Sequence, residues 1–420
     1  MGWANRTPLN KTLICCAVGV AISAPVVASE EESYFDEVLV WGTKVSSNTD
    51  SLGAQDMSLK QADHMSDILR DIPGVDVGGT HSVNQRINIR GLGETDLDIR
   101  LDGASQHANM FHHVGNLTLN PDILKSADIQ VGNNSVTQNG LGGSVEFETK
   151  DAKDLLRSGE NFGARVFGGY ASNANRQGSL TVYGLLTDNV DAMVYGHFIR
   201  RDDFEDGNGV KAFGTEGDTY NILGKLGFEP SDNHRFELAY DIYRDSGDYR
   251  PRPDMSSTSN LGLSQDLLLP TDYDRDTVTL SYELDTDKHS GKVVTYSSKT
   301  TIDRDESKTG WERMGRASQN EATNHNLGLN AKFQSDYALA GLDNRVTYGA
   351  DYMDKNSSSK YGGVEYMDES AISTAVFAEN TLYVLDNWSV TGGLRYDHYK
   401  RKAETSTDTF DDVTWSLGSE

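Results

Sequence analysis

Three histidines crowd into one short stretch, Gln106-His107-Ala108-Asn109-Met110-Phe111-His112-His113-Val114. Imidazole nitrogens are common ligands for metals, so His107, His112 and His113 could ligate haem iron, with Met110 and Phe111 covering the porphyrin face. The same three side chains suit zinc or copper, and a loop whose histidines only bond to water and backbone is the third reading. Upstream lies a mixed-charge set, Arg86, Arg90, Arg100, Glu94, Asp96, Asp98 and Asp102. Paired carboxylates can do acid/base work, but interleaved with guanidiniums they read as a polar seam between two packed parts. The chain has no GxSxG, HExxH or P-loop pattern, and its two cysteines are Cys15 and Cys16, inside an N-terminal apolar segment. No enzyme, no catalytic cofactor and no disulfide is therefore expected.

The elements around these residues are short strands. In Arg86–Gly103, Ile87, Ile89, Ile99 and Leu101 alternate with charged or polar neighbours. Val145, Phe147 and Thr149 repeat the spacing after the glycine turn Gly140-Leu141-Gly142-Gly143. Alternation of period two, broken by glycine, marks half-buried strands joined by tight turns. From about Phe162 onward the pattern recurs in roughly eleven segments, clearest at Arg235–Ile242, Thr277–Leu284, Leu327–Phe333 and Arg345–Met353. Short turns such as Thr187-Asp188-Asn189 alternate with longer polar loops, the arrangement of a transmembrane β-barrel. A soluble sandwich or propeller would also give many amphipathic strands. Aromatics near strand ends (Tyr195, Phe198, Tyr240, Tyr243, Tyr348, Tyr352, Trp388, Tyr396) favour the membrane, as an interfacial girdle. A mean hydropathy of −0.55 excludes a helical membrane bundle but not a barrel, whose strands carry a polar face. A formal net charge of −26 argues against a nucleic-acid or anionic-lipid partner, both of which need basic surface.

Four motifs stand in a fixed order: Ser66–Val77 (SDILRDIPGVDV), Ile87–Gly91 (INIRG), Leu101–Gly103 (LDG) and Gly140–Lys150 (GLGGSVEFETK). Together they resemble the plug domain of TonB-dependent outer-membrane receptors. The resemblance implies a mainly β fold, with an N-terminal α/β plug over 49–155 inside an antiparallel barrel of the 22-strand type. Residues 160–420 would form its N-terminal half, and the 420 residues an incomplete receptor. Half a barrel leaves two edges of unpaired backbone groups and should not insert stably in lipid. The run Gly140–Leu156, a GALGG-like turn leading to DAKDLL, looks most like the haem and haemoglobin receptor branch, although Val131–Ser135 stands where siblings carry an Arg-Gly-Pro turn. The branch's Phe-Arg-Ala-Pro and Asn-Pro-Asn-Leu pair is expected beyond Glu420. The region of His107–His113 would form a plug apex facing the extracellular ligand.

Residues 1–28 have the layout of a signal peptide: Arg6 and Lys11, the apolar run Leu13–Ile22, and Val26-Val27-Ala28 before the cleavage point. That run is shorter than the ~20 residues a membrane helix needs. In the leader 29–48, Asp36, Glu37, Val38, Leu39 and Val40 resemble a TonB box, from which Trp41 departs. Such a β-prone run can add to the sheet edge of a partner. The expected partners are TonB with its proton-driven inner-membrane complex, and haem, a haemoprotein or a ferric siderophore as the ligand carried unchanged across a Gram-negative outer membrane. A surface adhesin without uptake is the alternative from another class.

Overall fold

In the computed structural model the described residues are 49–420, apart from 61, 63, 79–84, 109, 111–114, 133–134, 173–174, 254–266, 311–314, 316 and 386. The signal-peptide and TonB-box expectations, with Phe111, His112 and His113, lie outside them. The plug begins with β1 (Thr49–Leu52), α1 (Ala54–Lys60) and α2 (Met65–Leu69). A three-stranded sheet follows, β2 (Val75–Gly78), β3 (Arg86–Ile89) and β4 (Leu92–Gly93). Next come β5 (Asp98–Leu101), β6 (Ala104–Ser105), β7 (Leu124–Val131), β8 (Gly143–Thr149) and α3 (Ala152–Leu155). These strands join β1 in a sheet of order β1-β7-β8-β5-β6, in which β5 and β8 run parallel and β7 and β8 antiparallel.

The alternation seen in the sequence is the burial pattern. Val145, Phe147 and Thr149 of β8 are buried, while Ser144, Glu146 and Glu148 are half-buried. Ile87, Ile89, Ile99, Ile129, Val145 and Phe147 close one apolar core with Met65, Ile68 and Leu69 of α2. Burying each such side chain contributes about 1.5–3 kcal/mol, which suffices to hold so small a sheet pair together.

The barrel wall is a single sheet of twelve strands, each antiparallel to the next. They are β9 (Phe162–Ala171), β10 (Asn175–Thr187), β11 (Val190–Arg201), β12 (Gly217–Ser231), β13 (His234–Tyr249) and β14 (Leu269–Asp285). The series continues with β15 (His289–Asp305), β16 (Gln319–Leu339), β17 (Leu342–Tyr361), β18 (Val364–Leu385), β19 (Trp388–Lys402) and β20 (Thr407–Ser419). Along β13, Phe236, Leu238 and Tyr240 are exposed on the outer face, whereas Ala239, Asp241, Tyr243 and Asp245 are buried inside. That division explains how a chain of negative hydropathy presents an apolar belt.

Two expectations are corrected. The wall has twelve strands rather than about eleven, and several run well past the apolar segments: Leu327–Phe333 is the middle of β16, and Arg345–Met353 the middle of β17. Lipid imposes alternation only across its own thickness. Beyond it a run such as Asn356-Ser357-Ser358-Ser359 pairs through the backbone with polar side chains on both faces. Of the aromatics assigned to the girdle, Tyr195 and Tyr243 have inward parity and are buried against the plug side. The other six are exposed.

The plug sits against this wall at close range. Gly103, in the turn after β5, has φ +77°, and a Cβ there would lie 2.8 Å from Val294 Cγ2 on β15. Gly103→Ala combines left-handed strain with overlap. It should loosen the plug by about 1–3 kcal/mol, read as earlier thermal unfolding and faster proteolysis within residues 49–155.

The plug–barrel seam and the apex loop as candidate functional site

Arg275 on β14 joins wall and plug across the seam. Its Nη1 donates to Thr118 O (2.7 Å), Gln106 Oε1 (3.0 Å) and Thr118 Oγ1 (3.2 Å) in the plug. Its Nη2 donates to Asp241 Oδ2 at 2.5 Å on the neighbouring strand, and the guanidinium lies 5.4 Å from the Tyr243 ring centroid. The planar fork presents separate nitrogens to wall and plug at once. Tyr273, two residues away on the same face, has its hydroxyl 3.0 Å from Thr118 Oγ1.

A second contact group gathers at the LDG turn. Asp102 has φ 49°, unusual for a residue with a side chain. Its carboxylate accepts the Thr149 N–H (2.8 Å) and hydroxyl (2.7 Å), which fix the turn against β8. Lys225 of β12 reaches in beside it, 3.7 Å from Asp102 and 3.0 Å from Glu237, and donates to Thr149 O at 3.2 Å. Burial pushes the Asp102 carboxyl above the usual carboxylate range, with Lys225 pulling the other way. Further round, Arg100 pairs with Asp98 of its own strand (2.8 Å) and with Asp351 of β17 (3.3 Å). Glu379 of β18 accepts from Ser135 at 3.0 Å, and Lys292 of β15 lies 3.3 Å from Glu148. Asn326 and Asn330 of β16 donate to the plug carbonyls of His107 (2.7 Å) and Gly103 (2.8 Å).

Of the seam residues expected from sequence, Arg100 and Asp102 thus meet the barrel wall. Arg86 lies 3.9 Å from the buried Glu94 of the plug, and burial pushes that carboxyl up. Arg90 holds a left-handed φ of 48° at the Gly74 turn, where its N–H donates to Gly74 O at 2.7 Å. The barrel-side partners Arg275, Asp241, Lys225 and Asp351 were not singled out in the sequence. The available signal was a charge at an inward-parity position, such as Lys225 between Gly224 and Leu226.

The apex loop follows directly. Met110 and Ala108 pack on Tyr243, Tyr273 and Ile302 of the wall. His107 is buried enough that its pKa falls to about 3, with Lys355 adding to the effect, so its ring is neutral at pH 7. Its Nε2 is buried with no hydrogen-bond partner. Among the described residues no group of three or more His, Cys, Asp or Glu side chains could hold a metal ion.

This arrangement is a small α/β domain tied by polar contacts to the inner face of an antiparallel sheet with an apolar outer face, the build of a plugged β-barrel. The model of the TonB-dependent receptor plug domain matches residues 42–144, and that of the TonB-dependent receptor-like β-barrel matches residues 219–419. Between them the two models span more than half of the chain, and the chain belongs to the TonB-dependent receptors. It is similar to the heme transporter BhuA of Brucella suis, 28% identical over 370 residues that cover 85% of this chain and 53% of the relative. It is also similar to the TonB-dependent heme receptor A of Haemophilus influenzae, 26% identical over 276 residues, 60% of this chain and 37% of the relative. Among solved structures, the FrpB iron transporter of Neisseria meningitidis superposes with a TM-score of 0.78 at 22% identity, covering 89% of this chain and 61% of that one. The chain spans about half the length of the first of these relatives.

Replacing Arg275 with Met strands Asp241 and the Thr118 carbonyl and should cost about 3–5 kcal/mol in thermal unfolding. Adding Asp241→Asn should recover part of that loss, because the stranded charge is gone. His107 makes the apex acid-sensitive. Its folded pKa lies below the ordinary 6.5, so stability is full above pH 6.5 and declines as pH falls toward 3. The loss should be about 1–2 kcal/mol at pH 5, and His107→Gln should flatten the slope of unfolding midpoint against pH.

Proposed function

We propose that this chain serves the TonB-driven uptake of haem across a Gram-negative outer membrane. One observation carries the ligand: BhuA, whose name is that of a heme transporter, aligns with 85% of this chain. The sequence carries His107, Met110, Phe111, His112 and His113 within seven residues, a set of residue types suited to an iron porphyrin. Haem would be captured outside the cell, and TonB, pairing with Asp36–Val40, would pull the plug from its seat. The seam described above suits that task. Many of its contacts are hydrogen bonds and ion pairs that water can replace one by one. The transported ligand is not altered, and the polar groups of the seam act as fasteners rather than as acids or bases.

Haem titration followed by its Soret band, with growth on haem as sole iron source, tests the reading. His112→Ala with His113→Ala should weaken haem binding at least about tenfold, the scale of losing an iron ligand or its support. Unchanged haem affinity together with retained use of a ferric siderophore would make the protein a siderophore receptor. Removing residues 36–41 should abolish uptake while leaving binding intact. Uptake that survives this deletion would sink the TonB-driven reading, and binding without any uptake in the intact protein would make it an adhesin.

A further inference from the structure

We propose that Arg176 and Arg200 form a clamp for the phosphate of a membrane lipid headgroup on the outer face of the barrel. The inference rests on the outer-membrane reading above. Arg176 shares the outward parity of Leu180 and Val182 on β10, and Arg200 that of Val194 and Phe198 on β11; all six are exposed. The two arginines are direct partners across the β10–β11 ladder. Side chains so placed start ~5 Å apart at Cβ, and two like charges there repel.

The usual relief is a carboxylate, and an arginine on the outer face of β13 has one. Arg244 lies 2.8 Å from Asp276 and 3.2 Å from Asp274. Arg176 and Arg200 make no salt bridge with any described residue, although Asp218 is the ladder partner of Arg200. Two guanidiniums side by side, neither bridged to a described carboxylate, are a site for an anion from outside the chain.

Depth selects that anion. One outward position nearer the apolar belt, Phe198 faces Tyr220 across β11–β12, and both are exposed. Aromatic pairs of this kind mark the headgroup level. The arginines stand one step beyond, at the end where the long connections such as 202–216 emerge, which is the outer leaflet side. Guanidinium forks bind phosphate oxygens in pairs, and two adjacent forks can share one phosphate. The net charge of −26 argues against a broad basic surface, and this site is local: two residues wide, bordered in the ladder by Tyr170 on one side and Asp218 on the other.

The test uses the protein extracted in mild detergent from the outer membrane of cells that carry the substitutions in the native gene. Native mass spectrometry counts bound lipid, and added lipids with and without a phosphate headgroup serve as probes. Wild type should retain a phosphate-bearing lipid and not the phosphate-free one. Arg176→Gln with Arg200→Gln should lower its occupancy about tenfold, the scale of losing paired charge-assisted bonds. Arg244→Gln, a comparable loss of charge from an already paired arginine, should leave it unchanged, and circular dichroism melting verifies that each variant is folded. Equal occupancy in wild type and double variant, or equal retention of the phosphate-free lipid, overturns the clamp alone. Absence of the protein from the outer-membrane fraction overturns the membrane reading and the clamp with it.

Discussion

The guanidinium of Arg275 shows what the molecule has to solve. A strand that faces lipid on one side must face something polar on the other, because its hydropathy has been spent outward. The plug therefore meets a wall of Thr, Asn, Asp, Lys and Arg side chains, and each buried polar group on that wall needs a partner. Arg275 satisfies Asp241 beside it and Thr118 and Gln106 across the seam, and buries its planar face on Tyr243. Buried charges of this kind contribute little net stability over apolar packing, yet they penalise every misplacement of the plug. The seam consequently selects one seating without welding it.

The same logic recurs at each contact point. Lys225, Lys292, Asn326, Asn330, Asp351 and Glu379 come from five strands, and each contacts the plug through a single side chain. Among the described residues, apolar contact with the wall includes Met110 on the tyrosines and Ala152 near Tyr183 and Met193. The main apolar core of the plug is closed by its own sheets and α2, and contacts with the barrel are added to it at the seam.

Much of this was legible in the sequence, because alternation reports directly on what each face of a strand touches. Val145, Phe147 and the Phe236–Tyr240 stripe behaved as read. The strand ends were missed where both faces are wet, as at Asn356–Ser359, since no hydrophobic periodicity survives there. Tyr195 and Tyr243 were misassigned because an aromatic near a strand end suits an interfacial girdle or a plug contact, and only parity relative to the neighbouring Val194 or Ile242 separates the two. The seam's barrel half was invisible for another reason. Arg275 and Asp241 are one strand apart in space but 34 residues apart in sequence, and nothing local announces that they share a bond. Asp102 was noticed through its motif, and its role is to hold a left-handed turn as well as to meet Lys225.

The position of β1 in the plug sheet has a mechanical consequence. Among the described residues it is an edge strand, paired on one side only, through the four rungs from Thr49–Gln130 to Leu52–Ala127. β8 lies inside the same sheet, gripped by β7 on one side and by the parallel β5 on the other. A tensile load entering from the amino-terminal side reaches β1 first and meets a short row of hydrogen bonds with no second row behind it. Those rungs yield before β8 carries any comparable force. The plug thus has a built-in order of failure, in which its outermost strand acts as a rip cord and its central strands as the fabric that stays whole.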